Sequence, residues 1–356
     1  MVEGSQLVAF NYLANDVSNS LSESDRRILL ATERWTTPGR LAARLDVKEA
    51  AIQRLVRAHC LVVEGTQLAE EDERFALEWE WDLRAGLFHL STKDQGVASP
   101  ERDEEMLNER IATRDPIPLY QTNEGCPLVV PMRRPSTQTG TFRALARRRT
   151  RRSFTKRRLP LQTLGDCLYA GLGITGIYID PVPGYGKLPV KMTPSGGARN
   201  PYEAYVYTNR VTGLAPGFYH YSAFEHSLGL VAEPPLPPAS ELFGEQEWYD
   251  TAAAVVVLVA NFKRSMWKYR HPLVYRAVLI EAGHIGQNIM VAAAHHGLAT
   301  APTALVADRQ VEQILGLDHI LSSVVYVVAV GAAGNAPDWG RYEKHPAKGG
   351  AARRRR

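Results

Sequence analysis

Three segments of the sequence combine residue types that could pack against a flat ring, bind an anion or transfer a proton, and the first is a run of small residues. Thr193–Tyr207 reads TPSGGARNPYEAYVY, so Ser195–Ala198 is followed by Arg199 and then by an alternating, strand-like stretch. A turn usually needs a single glycine, at the position where φ is positive. Four small residues in a row therefore indicate either a sharp corner or a backbone surface that a planar group approaches closely, and the sequence leaves both open.

The second segment is strongly basic and could bind phosphate. Arg143–Arg158 contains nine basic residues, and Arg151 and Arg152 precede Ser153, so guanidinium groups and a hydroxyl are adjacent in the chain. Both are donors that phosphate oxygens accept. Nucleic acid would suit the same arginines, but only two phenylalanines lie nearby to stack on bases. Since the net charge of the whole chain is only +4, this basic charge is local.

The third segment places a lysine beside a tyrosine. Lys268 and Tyr269 are followed by Arg270 and, six positions later, by Arg276. A Lys-Tyr pair in a cationic pocket could act as a general base or as a proton relay. The alternative is a loop tyrosine that packs on the following helix, and spacing by itself favours this second interpretation.

The elements that would position these segments are predicted to form one α+β domain over residues 143–345. Helices are predicted near Leu161 and over Tyr275–His295, buried strands at EAYVYT, AAAVVVLVANF and SSVVYVVAV, and a hairpin at GFYHYSAFEHSLGLV. Residues 177–195 are predicted to be a Pro- and Gly-rich loop, and residues 346–356 a disordered basic tail. Because buried helices and strands alternate, we expect a sandwich with a central mixed sheet flanked by helices.

Residues 1–95 are predicted to form a separate winged-helix-like domain. Three helical patterns are followed by LVVEGTQLA, which is typical of two short strands around Glu64-Gly65. Winged helices often read DNA through their third helix, but Glu70–Asp82 is strongly acidic and would repel phosphates. We therefore expect packing or peptide binding rather than DNA binding. Residues 96–142 are predicted to be a linker or an extended arm.

The composition argues against several other classes of protein. The apolar fraction of 45% and the charged fraction of 22% are typical of a globular protein, and the three cysteines have neither disulfide nor zinc spacing. The longest apolar run is short for a membrane span and the N-terminus lacks a signal-peptide pattern, so a cytoplasmic protein without a metal is expected. The sequence GLGITG at Gly171–Gly176 follows a helix rather than a strand, which argues against a dinucleotide-binding fingerprint.

Taken together, the three segments resemble the flavin-dependent nitroreductase-like superfamily, and within it the SagB-type dehydrogenases, the azoline oxidases of thiazole and oxazole peptide biosynthesis. The resemblance covers residues 145–335. It consists of Arg-Arg-Ser-Phe before a helix, Pro-Ser-Gly-Gly-Ala-Arg-Asn-Pro before a strand, Lys-Tyr, and YRAVLIEAGHIGQN ahead of a final buried strand. The N-terminal third also resembles the branch, at FNYL (Phe10–Leu13) and FHLSTKD (Phe88–Asp94).

The resemblance implies an FMN site, often shared between the two subunits of a homodimer. The positions that match the family's phosphate and ribityl contacts are Arg151, Arg152 and Ser153. The positions that match the loop against the isoalloxazine ring are Pro194, Ser195, Gly196, Gly197 and Arg199. Small side chains let a planar ring pack closely, and a cation near its N1–O2 edge stabilises the reduced anionic flavin.

The resemblance also implies catalytic roles for Tyr269, as the base, and for Lys268, which assists it. In azoline oxidases the substrate loses its Cα proton to a base and a hydride to flavin N5, its five-membered ring becomes aromatic, and oxygen then reoxidises the flavin. We therefore expect oxidation of a peptide-borne azoline or a related modified peptide in natural-product (RiPP) biosynthesis. A precursor peptide and a cyclodehydratase are the expected partners.

One segment departs from the family's pattern. Where the branch has glycines after a proline near flavin N5, APTALVAD places Thr303, Ala304 and Leu305. A backbone N–H there, of Ala304 or Leu305, can still face N5, but the Leu305 side chain would narrow the pocket and could change the substrate. Two alternatives therefore remain. One is an FMN enzyme that acts on a free small molecule, as an NAD(P)H-dependent reductase or an O2-using oxidase. The other is a binding module with a degenerate second domain.

Overall fold

The computed structural model describes residues 2–3, 6–7, 9–13, 16–17, 21–93, 105, 140–179, 187–269, 271 and 273–334. Most of the predicted arm at 96–142 and all of the predicted tail at 346–356 lie outside these residues. The helices are α1 Glu23–Leu30, α2 Pro38–Leu45, α3 Glu49–Arg57, α4 Gln67–Glu78, α5 Leu83–Ser91, α6 Gly140–Arg147, α7 Leu161–Leu172, α8 Ala239–Leu242, α9 Phe262–Met266, α10 Leu273–His295 and α11 Asp308–Ile314. Two 3-10 turns span Gly196–Ala198 and Glu247–Thr251.

The strands form one large sheet and three small hairpins. The short pairs are β1 Val2–Glu3 with β2 Gln6–Leu7, β3 Phe10–Asn11 with β4 Asp16–Val17, and β5 Ile174–Ile179 with β6 Lys187–Lys191. The large sheet contains β7 Tyr202–Thr208, β8 Gly217–Ser222, β9 Ser227–Ala232, β10 Ala254–Asn261, β11 Leu298–Thr303 and β12 Ser322–Ala332, in the order β11-β12-β10-β7-β8-β9. Each neighbouring pair in it is antiparallel. The prediction of a mixed sheet is therefore wrong for these six strands. In the described residues, parallel pairing with the sheet is seen at one bridge, between Thr150 and Thr300 of β11.

The centre of the sheet is buried on both faces, which explains the continuous apolar run of β10. Alternate residues of this strand belong to two different core clusters, because side chains of a strand point alternately to opposite faces. The first cluster contains the apolar residues of α7 and α10, and the second contains those of α8, α11 and the 3-10 turn at Glu247–Thr251. The predicted α+β sandwich is therefore confirmed.

The N-terminal residues form three short helices with a core of their own. Ser22 and Asp25 build a capping box at the start of α1, and Thr37 caps α2, whose first residue is Pro38. The buried side chains of this cluster are Ile28, Leu41, Ala42, Ile52 and Leu55. The three predicted helices are present, but the predicted wing is wrong.

The predicted wing strands are replaced by a short turn and a helix. Residues 61–66 contain no strand, and α4 begins at Gln67, capped by the Thr66 hydroxyl. The Thr66 hydroxyl accepts a hydrogen bond from an N–H in the first turn of α4. Such a cap stabilises the start of a helix, here at a place where the local pattern had suggested a strand.

Helices α4 and α5 belong to the main core, so the predicted domain boundary at residue 95 divides a packed unit. Trp79, Trp81 and Leu90 are buried in the same cluster as α10. Trp79 stacks on His89, with ring centroids 5.7 Å apart, and the His89 Nδ1 lies 3.0 Å from the Tyr275 hydroxyl. Among the residues that the structure describes, the three-helix cluster that ends near Leu61 has a core of its own.

Three further strands, β5, β6 and β11, lie where no strand was predicted. The β5–β6 hairpin occupies part of the predicted loop at 177–195, so that prediction is wrong for the residues that the structure describes there. Strand β11 was not predicted either, since its sequence LATAPT has small residues and a proline. A proline is accepted there because β11 is an edge strand of the sheet.

Helix α10 is the one helix in the described part of the chain whose length and composition would suffice to cross a bilayer. Its buried residues pack in the main core against β10 and β12. A long core helix meets the same criterion, so the apolar character of α10 is explained by its central place in the fold.

A buried ion pair joins the residues just after helix α5 to the sheet domain. The Lys93 ammonium donates to both Glu312 carboxylate oxygens, at 2.7 and 2.8 Å, to the His319 carbonyl at 2.9 Å and to the Ser323 hydroxyl at 2.8 Å. Lys93 and Glu312 are almost fully buried. The pair is therefore fully desolvated, and each charge depends on the other.

We expect Lys93→Ala to lower the free energy of unfolding by about 3–5 kcal/mol, because it leaves the Glu312 carboxylate buried without its cation. Chemical denaturation followed by circular dichroism measures this loss. The control is Arg26→Ala, which removes an exposed pair with Glu23 at 2.9 Å and should cost less than about 1 kcal/mol. Equal losses in the two variants would contradict the assignment of Lys93 as a buried anchor.

Candidate functional site

The loop between β6 and β7 is a tight corner with an unusual backbone. Gly197, Ala198 and Asn200 all have positive φ, at 61°, 54° and 46°. This conformation costs little for glycine but strains alanine, so surrounding contacts must hold it. The Asn200 N–H donates to the Ser195 hydroxyl at 2.8 Å, and its side-chain amide donates to the Pro189 carbonyl at 2.9 Å. The corner interpretation of the small residues is therefore correct for part of the loop.

The two glycines of the loop differ in what surrounds them. A Cβ added at Gly197 would overlap the Tyr269 hydroxyl, so this glycine is required by a protein contact as well as by its φ. A Cβ added at Gly196 would meet no described protein atom within 4 Å. No contact in the described part of the chain explains why residue 196 is small, and its surface is open to a ligand.

The structure brings the Lys-Tyr pair to this loop. Both side chains are half-buried, and the Lys268 ammonium lies 5.4 Å from the centroid of the Tyr269 ring. The Tyr269 N–H donates to the Ser265 carbonyl at 3.0 Å, and the Trp81 indole N–H donates to the Tyr269 carbonyl at 2.9 Å. The backbone of the tyrosine is thus fixed from two sides while its hydroxyl contacts Gly197.

Arg199 is held beside the same loop. Its guanidinium stacks on the Trp267 ring at 4.5 Å from the centroid, and its Nε donates to the Arg264 carbonyl at 2.7 Å. Arg264 in turn donates to the Asn200 carbonyl at 2.8 Å and pairs with Glu203. Because stacking and hydrogen bonding both restrain it, the Arg199 charge has a defined position next to the loop.

A group of ionisable side chains lies beneath the loop. Burial raises the pKa of Glu281 on α10. The Ser195 hydroxyl, the Gly196 N–H and the charge of Lys191 lower this pKa, but by less than burial raises it. Burial lowers the pKa of Lys191, against the attraction of Glu203. For Glu203 burial would raise the pKa, but the charge and hydrogen bond of Arg264 outweigh it and the pKa is lowered.

The predicted phosphate-binding residues lie at the edge of the sheet. Thr150 forms a bridge with Thr300 of β11, and the Arg151 N–H donates to the Thr300 carbonyl at 2.8 Å. Ser153 lies against Gly334, where a Cβ would overlap its hydroxyl. Arg151 is exposed, while Arg152 and Ser153 are half-buried.

The segment after β11 does not leave Leu305 free to point into open space. The Leu305 N–H donates to the Thr303 hydroxyl at 3.0 Å, and its side chain lies over Gly244, whose φ is 81°. Ala304 is exposed. The leucine is thus accommodated by a glycine on the neighbouring 242–249 segment.

The strand register separates the two halves of the predicted cofactor site. Tyr202, just after the glycine loop, pairs with Ala260 of β10, whereas Thr300, beside the basic segment, is level with Ala254 through Val330. The distance from Ala254 to Ala260 is about 20 Å at roughly 3.3 Å per residue, and three strand spacings add to it across the sheet. Within one chain, the glycine loop and the basic segment lie at opposite ends of the sheet.

Comparison with known proteins identifies the family of this fold. The family model described as "Nitroreductase family" matches residues 145–332, which is more than half of the chain. The chain belongs to the nitroreductase family. The resemblance expected from the three segments is therefore confirmed at the level of the family, and the glycine loop and Arg151–Ser153 of the basic segment lie within the nitroreductase match.

Two curated proteins are similar to this chain over part of its length. The trifolitoxin-processing protein TfxB of Rhizobium leguminosarum bv. trifolii is 33% identical over 146 residues, which are 39% of this chain and 39% of that protein. The putative nitroreductase MJ1384 of Methanocaldococcus jannaschii is 28% identical over 172 residues, which are 48% of this chain and 81% of that protein. The chain therefore matches well under half of TfxB and most of MJ1384.

A solved structure supports the same fold. A chain of the E. coli microcin synthetase McbBCD complex with truncated pro-MccB17 bound is 19% identical, with a TM-score of 0.50, over 76% of this chain and 99% of that chain. A putative nitroreductase from Ralstonia eutropha JMP134 is 22% identical over 58% of this chain and 89% of that chain, with a TM-score of 0.45. At these identities the likeness concerns the fold alone.

Sequence reasoning missed several residues at this nitroreductase loop. Trp267 stacks on Arg199, and Trp81 donates a hydrogen bond to the Tyr269 carbonyl. Both contacts join distant parts of the chain, so no local pattern in the sequence predicts them. Glu281 did leave a signal, since a carboxylate at a core-facing position of an apolar helix requires a partner. The identity of that partner depends on the tertiary fold.

We expect Gly197→Ala to destabilise the protein by about 1–2 kcal/mol, the cost of a left-handed residue with a Cβ, and to displace the Tyr269 ring. Thermal unfolding and tyrosine fluorescence check the two effects. The control is Gly213→Ala, whose φ is 84° but whose Cβ would meet no described atom within 4 Å. If the two variants change tyrosine fluorescence equally, Gly197 and Tyr269 are not in contact.

Proposed function

We propose that this protein is an FMN-dependent oxidase or dehydrogenase that oxidises a peptide-borne azoline, or a related modified peptide, in RiPP biosynthesis. The observation that carries the proposal is the contact between the Tyr269 hydroxyl and Gly197, next to the open surface of Gly196. A proton acceptor and a backbone surface for a flat ring then lie side by side. The similarity to a trifolitoxin-processing protein supports a modified peptide as the substrate.

The residues present fit FMN. Pro194, Ser195, Gly196 and Gly197 form a small-residue surface against which the isoalloxazine would pack, and Gly196 has no protein neighbour that would obstruct it in the described part of the chain. Arg199 holds a positive charge beside that surface. The cationic side chains of Arg151 and Arg152 and the hydroxyl of Ser153 are donors for the phosphate and ribityl groups. The backbone of Ala304 and Leu305 would lie near the reactive edge of the ring.

A homodimer would complete the site. The glycine loop and the basic segment lie about 20 Å apart along the strands of one chain, so we propose that each FMN takes contacts from both copies. Exposed apolar side chains of the β5–β6 hairpin and α10 offer a surface for such an association, and they are Ile177, Tyr178, Ile179, Val190 and Ile280.

The mechanism assigns the proton to Tyr269. When bound, FMN supplies the acceptor for a hydride, so an azoline that loses this hydride and its Cα proton becomes an aromatic azole. The Tyr269 oxygen, as phenolate, would accept the Cα proton and become the neutral phenol, and the Lys268 ammonium lies 5.4 Å from the centroid of the Tyr269 ring. Trp81 and Ser265 fix the tyrosine backbone, so the hydroxyl keeps its position at the loop. A precursor peptide and a cyclodehydratase are the proposed partners.

A second candidate is an FMN-dependent oxidoreductase that acts on a free small molecule. It is favoured by the Thr303-Ala304-Leu305 sequence, where the Leu305 side chain covers Gly244 instead of leaving the space that glycines would give. The similarity to a putative nitroreductase over 81% of that protein supports it as well. Rapid bleaching of the bound flavin by NADPH under nitrogen would favour this candidate over the peptide oxidase.

We expect the wild-type protein to bind FMN and Gly196→Val to weaken that binding at least tenfold, because a branched side chain would occupy the surface where the ring packs. Titration of FMN fluorescence measures the affinity. The control is Gly229→Val on β9, which likewise meets no described atom within 4 Å and should leave the affinity unchanged. A wild-type protein that takes up no FMN would overturn the proposed function.

We expect Tyr269→Phe to retain FMN and to lower kcat with a synthetic thiazoline peptide by roughly 10²–10⁴-fold, the usual contribution of a general base. Azole formation is followed by absorbance and mass spectrometry. The control is Tyr219→Phe, which removes only a hydrogen bond to the Ala215 carbonyl at 3.1 Å. Unchanged turnover in Tyr269→Phe would show that another group removes the proton.

A further inference from the structure

Most of the basic segment is not used by the proposed FMN site. Of its nine basic residues, two, Arg151 and Arg152, are assigned to the cofactor. Arg143, Arg147 and Arg157 are exposed, and none of them pairs with a carboxylate in the described part of the chain. Positive charges that the protein itself does not neutralise attract a partner of opposite charge.

Two of these arginines line a cavity between α6 and α10. Its volume is about 690 Å³, which is within the usual range for ligand sites. Arg143 and Arg147 of α6 and His295 at the end of α10 contribute its basic groups, and Met192 and Val291 contribute to its apolar part. The cavity therefore suits a ligand that combines negative charge with an apolar portion.

A second, more polar cavity adjoins the end of α10. It has a volume of about 400 Å³, and its lining includes Arg157, Arg158, Thr163 and His296. The rings of His295 and His296 lie 5.2 Å apart, so the two cavities are neighbours at the C-terminal end of the helix. We call the two cavities and the residues that line them the basic groove.

The carboxylate of Asp166 lies close to the basic groove but is already engaged. Its Oδ2 is 3.0 Å from the His296 Nε2, and its Oδ1 accepts a hydrogen bond from the Gln162 side chain at 2.9 Å. Among the described residues that line the two cavities, none is Asp or Glu. The four guanidinium groups therefore give the groove a net positive charge.

An acidic peptide fits the basic groove better than a nucleic acid does. The described lining of both cavities contains no Phe, Tyr or Trp, so bases would find no aromatic ring on which to stack. Carboxylate side chains form charge-assisted hydrogen bonds with guanidinium groups. The apolar part of the first cavity would at the same time bury aliphatic side chains of the peptide.

We propose that the basic groove binds an acidic segment of the peptide substrate, with its carboxylates at the arginines and aliphatic side chains in the first cavity. The proposal deepens the proposed function and rests on it for the identity of the peptide as substrate. Met192 lies three residues before Ser195 of the glycine loop, and Arg147 lies four residues before Arg151. A peptide held in the groove would therefore lie beside both regions assigned to the cofactor.

Fluorescence anisotropy of labelled peptides tests the basic groove in the full chain. The probe is a fluorescein-labelled peptide of alternating Glu and Leu, and two matched peptides replace Glu by Gln or Leu by Ser. We expect the Glu-Leu peptide to bind at least tenfold more tightly than either, because the groove offers both charge and apolar contact. Added salt should weaken its binding, since salt screens exposed charges.

Arg143→Glu and Arg157→Glu should each raise the dissociation constant of the Glu-Leu peptide at least tenfold, because each places a carboxylate in one of the two cavities. The control is Arg34→Glu, which makes the same charge change at an exposed position between α1 and α2 and should leave the constant unchanged. Circular dichroism verifies that the variants are folded. Equal losses in all three variants, or equal binding of the Gln-Leu peptide, would overturn the assignment.

Other occupants of the basic groove would give different results. If single-stranded oligothymidylate binds more tightly than the Glu-Leu peptide and the same two variants release it, the groove binds nucleic acid and the proposal is wrong. A groove covered by a second subunit would bind none of the peptides, which also overturns it. Because the measurement needs no FMN, peptide binding without FMN uptake contradicts only the proposed function, whereas FMN uptake without peptide binding contradicts only the groove.

Discussion

The candidate site depends on one strained loop that its own residues cannot hold. Gly197, Ala198 and Asn200 all have positive φ. Ala198 and Asn200 also carry a Cβ, which is sterically unfavourable in this conformation. Two separate elements supply restraints: β6 through the Pro189 carbonyl and α9 through Arg264. The sheet and its helices must be assembled before the loop can take this shape.

The N-terminal helices take part in the same assembly. Trp81 reaches across to the Tyr269 carbonyl, and Glu78 pairs with Lys263 at 2.6 Å on the helix that precedes Tyr269. The buried pair of Lys93 and Glu312 secures these helices to the far side of the core. The position of the tyrosine hydroxyl is thus set by residues 81 and 197 together, which explains why the region around α4 and α5 cannot be separated from the nitroreductase core.

The antiparallel sheet also bears on how the proposed FMN site would be built. Its register places the glycine loop and the basic segment at opposite ends, so a site that uses both requires two copies. Each copy would then contribute a ring surface to one site and phosphate donors to the other. The exposed apolar residues on the β5–β6 hairpin and on α10 are consistent with this exchange.

The sequence by itself determined the class of the fold and the type of chemistry. Alternation and apolar runs predicted the strands at 202–208, 254–261 and 322–332 and the long helix, because burial on one or both faces leaves a local pattern. The same local patterns failed at residues 61–66, where a Thr66 cap started a helix instead of a wing, and at β11, where proline and small residues concealed an edge strand. Only the tertiary structure decided that Gly197 is required by Tyr269 while Gly196 is open. The contact between Gly197 and Tyr269 joins residues more than 70 positions apart in the chain, and no periodicity records a contact between segments that meet only after folding.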